Sequence, residues 1–281
     1  MTTRKIRLTD TQVEYLSIAE ARRRPGLRLV LGAYTVPGPW REACKGLFHV
    51  KGIPYLSVVT ADPDRADGDF GMDGADRQLR EWTGQSSAPV AIWNDERPCS
   101  TWIEQLQLAE RLAANPPLIP DGVEERALMF GLCHELAGRE GFGWTKRIAM
   151  IHSNLASLPE GHAARPFWEH MAAKYGYTPA AGEAAPARLA KIVRAFARRI
   201  EQQHDAGRRY LVGDRLSAAD IYWSTFVGMI APMDEARCPM ATSFRAAYSN
   251  PDPEVQAALT AALLAHRDFV YETHLELPVR F

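Results

Sequence analysis

Residues able to ligate metals, carry thiol chemistry or hold anions are scattered along this chain. The four cysteines, Cys44, Cys99, Cys133 and Cys238, form no C-x-x-C pair, which argues against a dithiol redox centre and a disulfide framework and fits reduced thiols in the cytoplasm. His134-Glu135 lacks the second histidine that a helical zinc pair needs, and the eight histidines make no other ligand pattern, so no metal is expected. The aspartates of ADPDRADGDFGMDGADRQ suggest calcium. However, Ala66 and Asp67 stand where an oxygen ligand and the turn glycine would be needed, so the stretch reads as a solvated loop. Lys191, Arg194, Arg198 and Arg199 lie opposite an apolar stripe of Leu189, Ile192, Val193, Phe196 and Ile200, which is the pattern of a solvated helix face. Asp220, three residues after Ser217, has the spacing of a capping box and reads as structural, because exposed amides at a helix start stabilise a carboxylate there.

The elements that must position any site follow from periodicity and turn chemistry. A length of 281 residues suits two domains. Lys plus Arg total 33 against 34 for Asp plus Glu, so no net field draws the chain to nucleic acid or an anionic membrane. The N-terminal stretch carries no apolar leader, and no uncharged run is long enough to span a bilayer. After a polar extension ending at Arg22-Arg23-Arg24-Pro25-Gly26, LRLVLGA reads as a buried strand. Pro37-Gly38-Pro39 opens a helix whose apolar residues recur at three- and four-residue steps until Gly52 closes it, and Ile53 to Thr60 forms a second strand. The opening is thus a β-α-β unit. Pro89 to Trp93 is a third strand, Asn94-Asp95-Glu96 a turn, and Ser100 to Leu112 a helix. Asn115-Pro116-Pro117 marks a linker. Beyond it the chain reads helical, with Val123 to Ala137, Thr145 to Leu158 and Pro166 to Lys174 among the segments.

Three stretches together resemble the cytosolic glutathione transferases: LVLGAYTVPGPWREACKGLFHVKGIPYLSV, APVAIWNDERPCSTWI and YLVGDRLSAADI. The resemblance covers nearly the whole chain after about Leu27. It implies an α/β thioredoxin-like N-terminal domain over residues 27–113, preceded by an extension over 1–26. A linker over 114–120 and an all-α C-terminal domain over 121–281 would follow. It also implies a homodimer that binds glutathione, activates its thiol and transfers it to a small hydrophobic electrophile, as in detoxification.

In that family the residue before a cis-proline offers backbone groups to the cysteinyl part of glutathione, and Ala88 and Pro89 take these places. A serine at a helix start receives the γ-glutamyl carboxylate, which matches Ser100, with Thr101 beside it and Gln85 as a further polar contact. The acidic residue that commonly precedes this serine is replaced by Cys99, leaving Glu96 or a partner subunit to supply the charge. Gly38 stands where some members carry a sulfur-activating hydroxyl. Members that use tyrosine point to Tyr34, with Thr35 as runner-up. Trp40, Phe142 and Trp144 can line the electrophile pocket, and aromatic residues at such spacing also build cores. A binding or regulatory protein without turnover, and a glutathione-dependent peroxidase, stay open beside the transferase.

Overall fold

The computed structural model describes residues 4–8, 11–31, 37–59, 75–240, 242–249 and 252–280. They fall into two compact units: 1–118 with 233–244 and 271–281, and 119–232 with 245–270.

The first unit begins with a hairpin, β1 (Arg4–Leu8) and β2 (Thr11–Tyr15), paired antiparallel with Ile6 opposite Val13. Helix α1 (Ile18–Ala21) follows, capped reciprocally by Ser17 and Glu20. The segment read as a mere extension therefore has its own structure, and Leu16 bridges Val58 to join it to the main sheet. That sheet consists of β3 (Leu27–Val30), β4 (Tyr55–Val58) and β5 (Val90–Trp93) in the order β4-β3-β5. β3 and β4 are parallel, and β5 runs antiparallel to β3. The crossover between the parallel strands is α2 (Pro39–Val50), as the β-α-β reading requires. Helix α3 (Ala75–Thr83) begins inside the acidic stretch read as loop: its last residues, Ala75 to Gln78, are helical.

Successive strand residues point to opposite faces, so the sheet buries two different apolar layers. Val30, Val58, Val90 and Ile92 pack with Ile18, Ala21 and Leu79 on one side. α2 contributes Ala43, Cys44, Leu47 and Phe48, all fully buried, and packs on α4 (Trp102–Leu112). α2 ends because Gly52 takes φ +65°. The Gly52 amide then donates to His49 and the Ile53 amide to Phe48, satisfying two terminal carbonyls. Buried Lys51 fastens the end of α2 to that of α4 through Glu110, at 2.7 Å, and the Ala113 carbonyl, at 2.8 Å.

The second unit is helical: α5 (Val123–Ala137), α6 (Phe142–Ser157), α7 (Arg165–Tyr175), α8 (Pro179–Asp205), α9 (Ala218–Phe226) and α11 (Pro253–Ala258) lie within it. α10 (Thr242–Ser249) and α12 (Ala261–His274) are shared between the units along the chain. No described helix is long and apolar enough to cross a membrane. The core of the helical unit centres on Trp223, stacked on Phe196 at 4.9 Å and met edge-on by Phe142 at 6.4 Å. Its indole N–H donates to the Leu263 carbonyl. Beside it, Asp220 is fully buried and accepts from the amides of Leu211 (2.7 Å) and Ser217 (2.8 Å) and from the Ser217 hydroxyl (2.8 Å). His266 Nε2 lies 3.0 Å from the same carboxylate. Four buried polar groups depend on this one side chain. Asp220→Ala should lower the unfolding free energy by about 3 kcal/mol, read as a reduced urea midpoint at unchanged m-value. An unaltered midpoint would contradict the role.

Candidate functional site

Four of the predicted site residues, Ala88, Pro89, Ser100 and Thr101, flank one hairpin. The Ala88-Pro89 peptide is cis, and Pro89 leads directly into β5. At Ala91 the strand meets the chain returning from its turn. Ala91 and Cys99 exchange both backbone hydrogen bonds, at 2.9 and 2.8 Å. Pro89 lies two residues before that bridge and Ser100 one residue after it. The buried amide of Gln105 on α4 reaches across, donating to the Pro89 carbonyl at 3.1 Å and the Cys99 carbonyl at 3.4 Å. Sequence reasoning missed Gln105. Its signal was a polar residue next to Leu106 on the buried side of a helix, a position that an amide occupies only with partners.

The N-terminus of α4 differs from the expected arrangement. The cap is Thr101, and Ser100 precedes it. Glu104, three residues on from Thr101, decides the matter by completing a reciprocal capping box. Its Oε2 accepts from the amides of Ser100 (3.1 Å) and Thr101 (3.0 Å) and from the Thr101 hydroxyl (2.9 Å), while Arg97 holds Oε1. Burial opposes the charge on Glu104, but the bonds from Thr101, Arg97 and Ser100 outweigh it and keep its carboxyl below the usual range. A ligand anion arriving here meets two amides already engaged. The Ser100 hydroxyl, half-buried, has no hydrogen-bond partner among the described residues.

Cys99 does not replace the missing acid. Burial, and then the field of Glu104, push its thiol pKa up, so the group stays neutral. Glu96 is exposed and bound by Arg111. Gln85 is half-buried, its backbone N–H donating to the Thr83 hydroxyl at 3.1 Å.

The sulfur-activating candidates Tyr34 and Thr35 lie outside the described residues. Gly38 and Arg41, at the start of α2, are described. Arg41 is buried and donates to the Leu31 carbonyl at 3.1 Å, just past the end of β3. A Cβ at Gly38 would stand 2.6 Å from Arg41 Nε, so the guanidinium fills the space that a serine side chain would take. Arg41 brings positive charge to the start of α2, where the helix dipole already favours an anion.

The aromatic candidates separate. Trp40, on α2, is half-buried. Phe142 is fully buried against Trp223 and belongs to the core, so it offers no surface to an electrophile. Trp144 is half-buried, tilted on Tyr175 at 4.6 Å, with its indole N–H on the Tyr175 carbonyl. Among the described residues no group of three or more His, Cys, Asp or Glu side chains could hold a metal ion. The hairpin can offer backbone groups at Ala88 and a free hydroxyl at Ser100 to one extended, carboxylate-bearing ligand.

No protein-family model matches the sequence, and no curated protein matches it. Solved structures do match the fold. A glutathione S-transferase from Methylobacterium radiotolerans, in complex with glutathione sulfonate, is 16% identical with a TM-score of 0.52, covering 88% of this chain and 91% of that one. Glutathione transferase Omega 3C from Trametes versicolor is 14% identical with a TM-score of 0.53, covering 92% and 90%. Rice GST1, in complex with glutathione, is 16% identical with a TM-score of 0.53, covering 91% and 94%. The fold is therefore that of the glutathione transferases, with a thioredoxin-like unit and a helical one.

The hairpin's dependence on Gln105 is testable. Gln105→Leu removes the donor from two carbonyls and should destabilise the chain by about 1–3 kcal/mol. Amide exchange at Ala91 and Cys99 should also quicken. Unchanged exchange at both would show that the bridge stands without it.

Proposed function

We propose that the chain binds glutathione on this hairpin, ionises its thiol and transfers the sulfur to a small, largely apolar electrophile. The observation that carries the reading is the pairing of Ala91 with Cys99, which sets the Ala88 backbone and the unbonded Ser100 hydroxyl on the flanks of one hairpin. Solved structures of the same fold that hold glutathione or glutathione sulfonate support it. In this reading Ala88 pairs with the cysteinyl backbone, Ser100 donates to the γ-glutamyl carboxylate, and Gln85 and Thr101 supply the surrounding polar contacts.

The thiol needs help to ionise, since its free pKa is about 8.5. Tyr34 can donate a hydrogen bond to the thiolate, with Thr35 next in order, and the dipole of α2 and the Arg41 guanidinium add a favourable field. The electrophile is met by apolar surface that includes Trp40 and Trp144. The protein acts as a cytoplasmic homodimer, which light scattering at micromolar concentration checks directly.

A second reading, binding without turnover, is favoured by two observations. Glu104 already holds the Ser100 and Thr101 amides, and Arg41 occupies the room for a hydroxyl at Gly38. Retention on immobilised glutathione with no turnover of chloronitroarenes or peroxides would select it. Peroxide turnover alone would select the peroxidase.

Two substitutions test the proposed roles. Ser100→Ala should weaken glutathione binding by about 1–2 kcal/mol in calorimetry, and an unchanged affinity in a folded variant would remove the contact. Tyr34→Phe keeps the ring and removes the donor. It should leave binding nearly intact, raise the pKa of the bound thiol and slow conjugation about ten- to a thousand-fold. Ionisation at the same pH in both proteins would pass the role to Thr35 or a backbone amide near Gly38.

A further inference from the structure

The N-terminal hairpin and the main sheet meet at one bridge. The Leu16 amide donates to the Ser57 carbonyl and the Leu16 carbonyl accepts from the Val59 amide, while β2 and β4 belong to separate sheets among the described residues. Ahead of that bridge the two strands share no ladder, and between residues 13–16 and residues 55–57 lies a cavity of about 430 Å³. Small-molecule sites usually measure roughly 300 to 1,000 Å³. The other walls are Leu31 at the end of β3, Lys45 on α2, and Arg24, Glu276 and Arg280, all within the first unit.

The hydroxyls of Tyr15, Tyr55 and Ser57 border this cavity, and none has a hydrogen-bond partner among the described residues. Tyr15 is 3% exposed, and a phenol so buried ordinarily finds a partner. Among the described residues, the fully enclosed side-chain polar atoms without a partner are Arg28 Nε and Ser224 Oγ. The Tyr15 hydroxyl therefore keeps an open side, and the cavity is the space that it borders. Burial pushes its pKa up to about 12. Burial, and then the field of Glu276, raise that of Tyr55, which also feels Tyr15. Both phenols thus stay neutral, near one another and near a carboxylate.

The charges are divided by depth. Glu276 is half-buried, whereas Arg24 and Arg280 are exposed, and the side chains of all three have no ion-pair partner among the described residues. Lys45 is already held, by Glu42 at 2.9 Å and by the Arg280 carbonyl. A plain cation would be repelled by the two guanidiniums at the rim, and a plain anion by Glu276. Val13, Leu16, Leu31 and Leu56 add aliphatic surface.

We propose that this cavity binds a small zwitterion, an α-amino acid with an apolar side chain. Its ammonium donates to Glu276 and the two tyrosine oxygens, its carboxylate faces the Arg24 and Arg280 guanidiniums, and its side chain lies on the aliphatic surface. The site is built by the N-terminal hairpin and the C-terminal segment against β4, and it does not require the glutathione reading.

Calorimetric titration of the full chain, without glutathione, with L-leucine, N-acetyl-L-leucine and L-leucinamide tests it. L-leucine should bind saturably with one equivalent, and the two blocked forms, each lacking one charge, should bind at least about tenfold more weakly. Tyr15→Phe keeps the ring and Glu276→Gln keeps the shape; each should weaken L-leucine binding about tenfold or more at an unchanged thermal midpoint. Should Tyr15→Phe fail to fold, Glu276→Gln decides alone. Absence of saturable L-leucine binding, unchanged affinity in either folded variant, or a blocked form binding as tightly as L-leucine would overturn the proposal.

Discussion

One buried side-chain amide, that of Gln105, holds the hairpin on which the candidate site depends. It bonds the carbonyl of Pro89, where β5 begins, and the carbonyl of Cys99, where the chain returns. The Ala91–Cys99 pair alone would be a single bridge at the end of a short strand, and such pairs are weak in isolation. Anchored to α4 by a side chain that is 2% exposed, the bridge becomes part of the packed core. α4 in turn is fastened to α2 by Lys51 and Glu110. Within the first unit, Gln105 thus holds the Pro89 turn and the returning chain at Cys99 to α4, and Lys51 holds the end of α2 to the end of the same helix.

The electrostatics of the site are shaped by groups that serve the fold first. Glu104 satisfies the amides at the start of α4 and by doing so competes with any ligand carboxylate for them. Arg41 satisfies the Leu31 carbonyl and takes the space beside Gly38. Each changes what the site can do. The first leaves a hydroxyl as the donor without an internal partner, and the second replaces a hydroxyl by a positive field. A fold shared with glutathione transferases thus carries a site whose donors are arranged in this chain's own way, and function follows the site.

Local signals made much of the architecture legible. The β-α-β opening followed from strand composition and from Gly52, whose left-handed conformation ends α2, and the Ser217–Asp220 spacing announced a buried cap. What escaped was set by longer-range or competing interactions. Thr101 and not Ser100 caps α4 because Glu104 lies three residues beyond it, a capping-box spacing that the sequence carries. Phe142 looked like a pocket aromatic because nothing local reveals that Trp223 lies against it. The polar N-terminal segment gave no strand signal strong enough to read, and its hairpin is joined to the sheet by the Leu16–Val58 bridge, a contact distant in sequence.

The most direct test of the central claim is a crystal structure of the chain with glutathione bound. The account predicts the cysteinyl backbone paired with Ala88, the γ-glutamyl carboxylate within hydrogen-bond distance of the Ser100 hydroxyl, and the sulfur facing the start of α2. Glutathione bound elsewhere, or a hairpin left empty at saturating concentration, would contradict it.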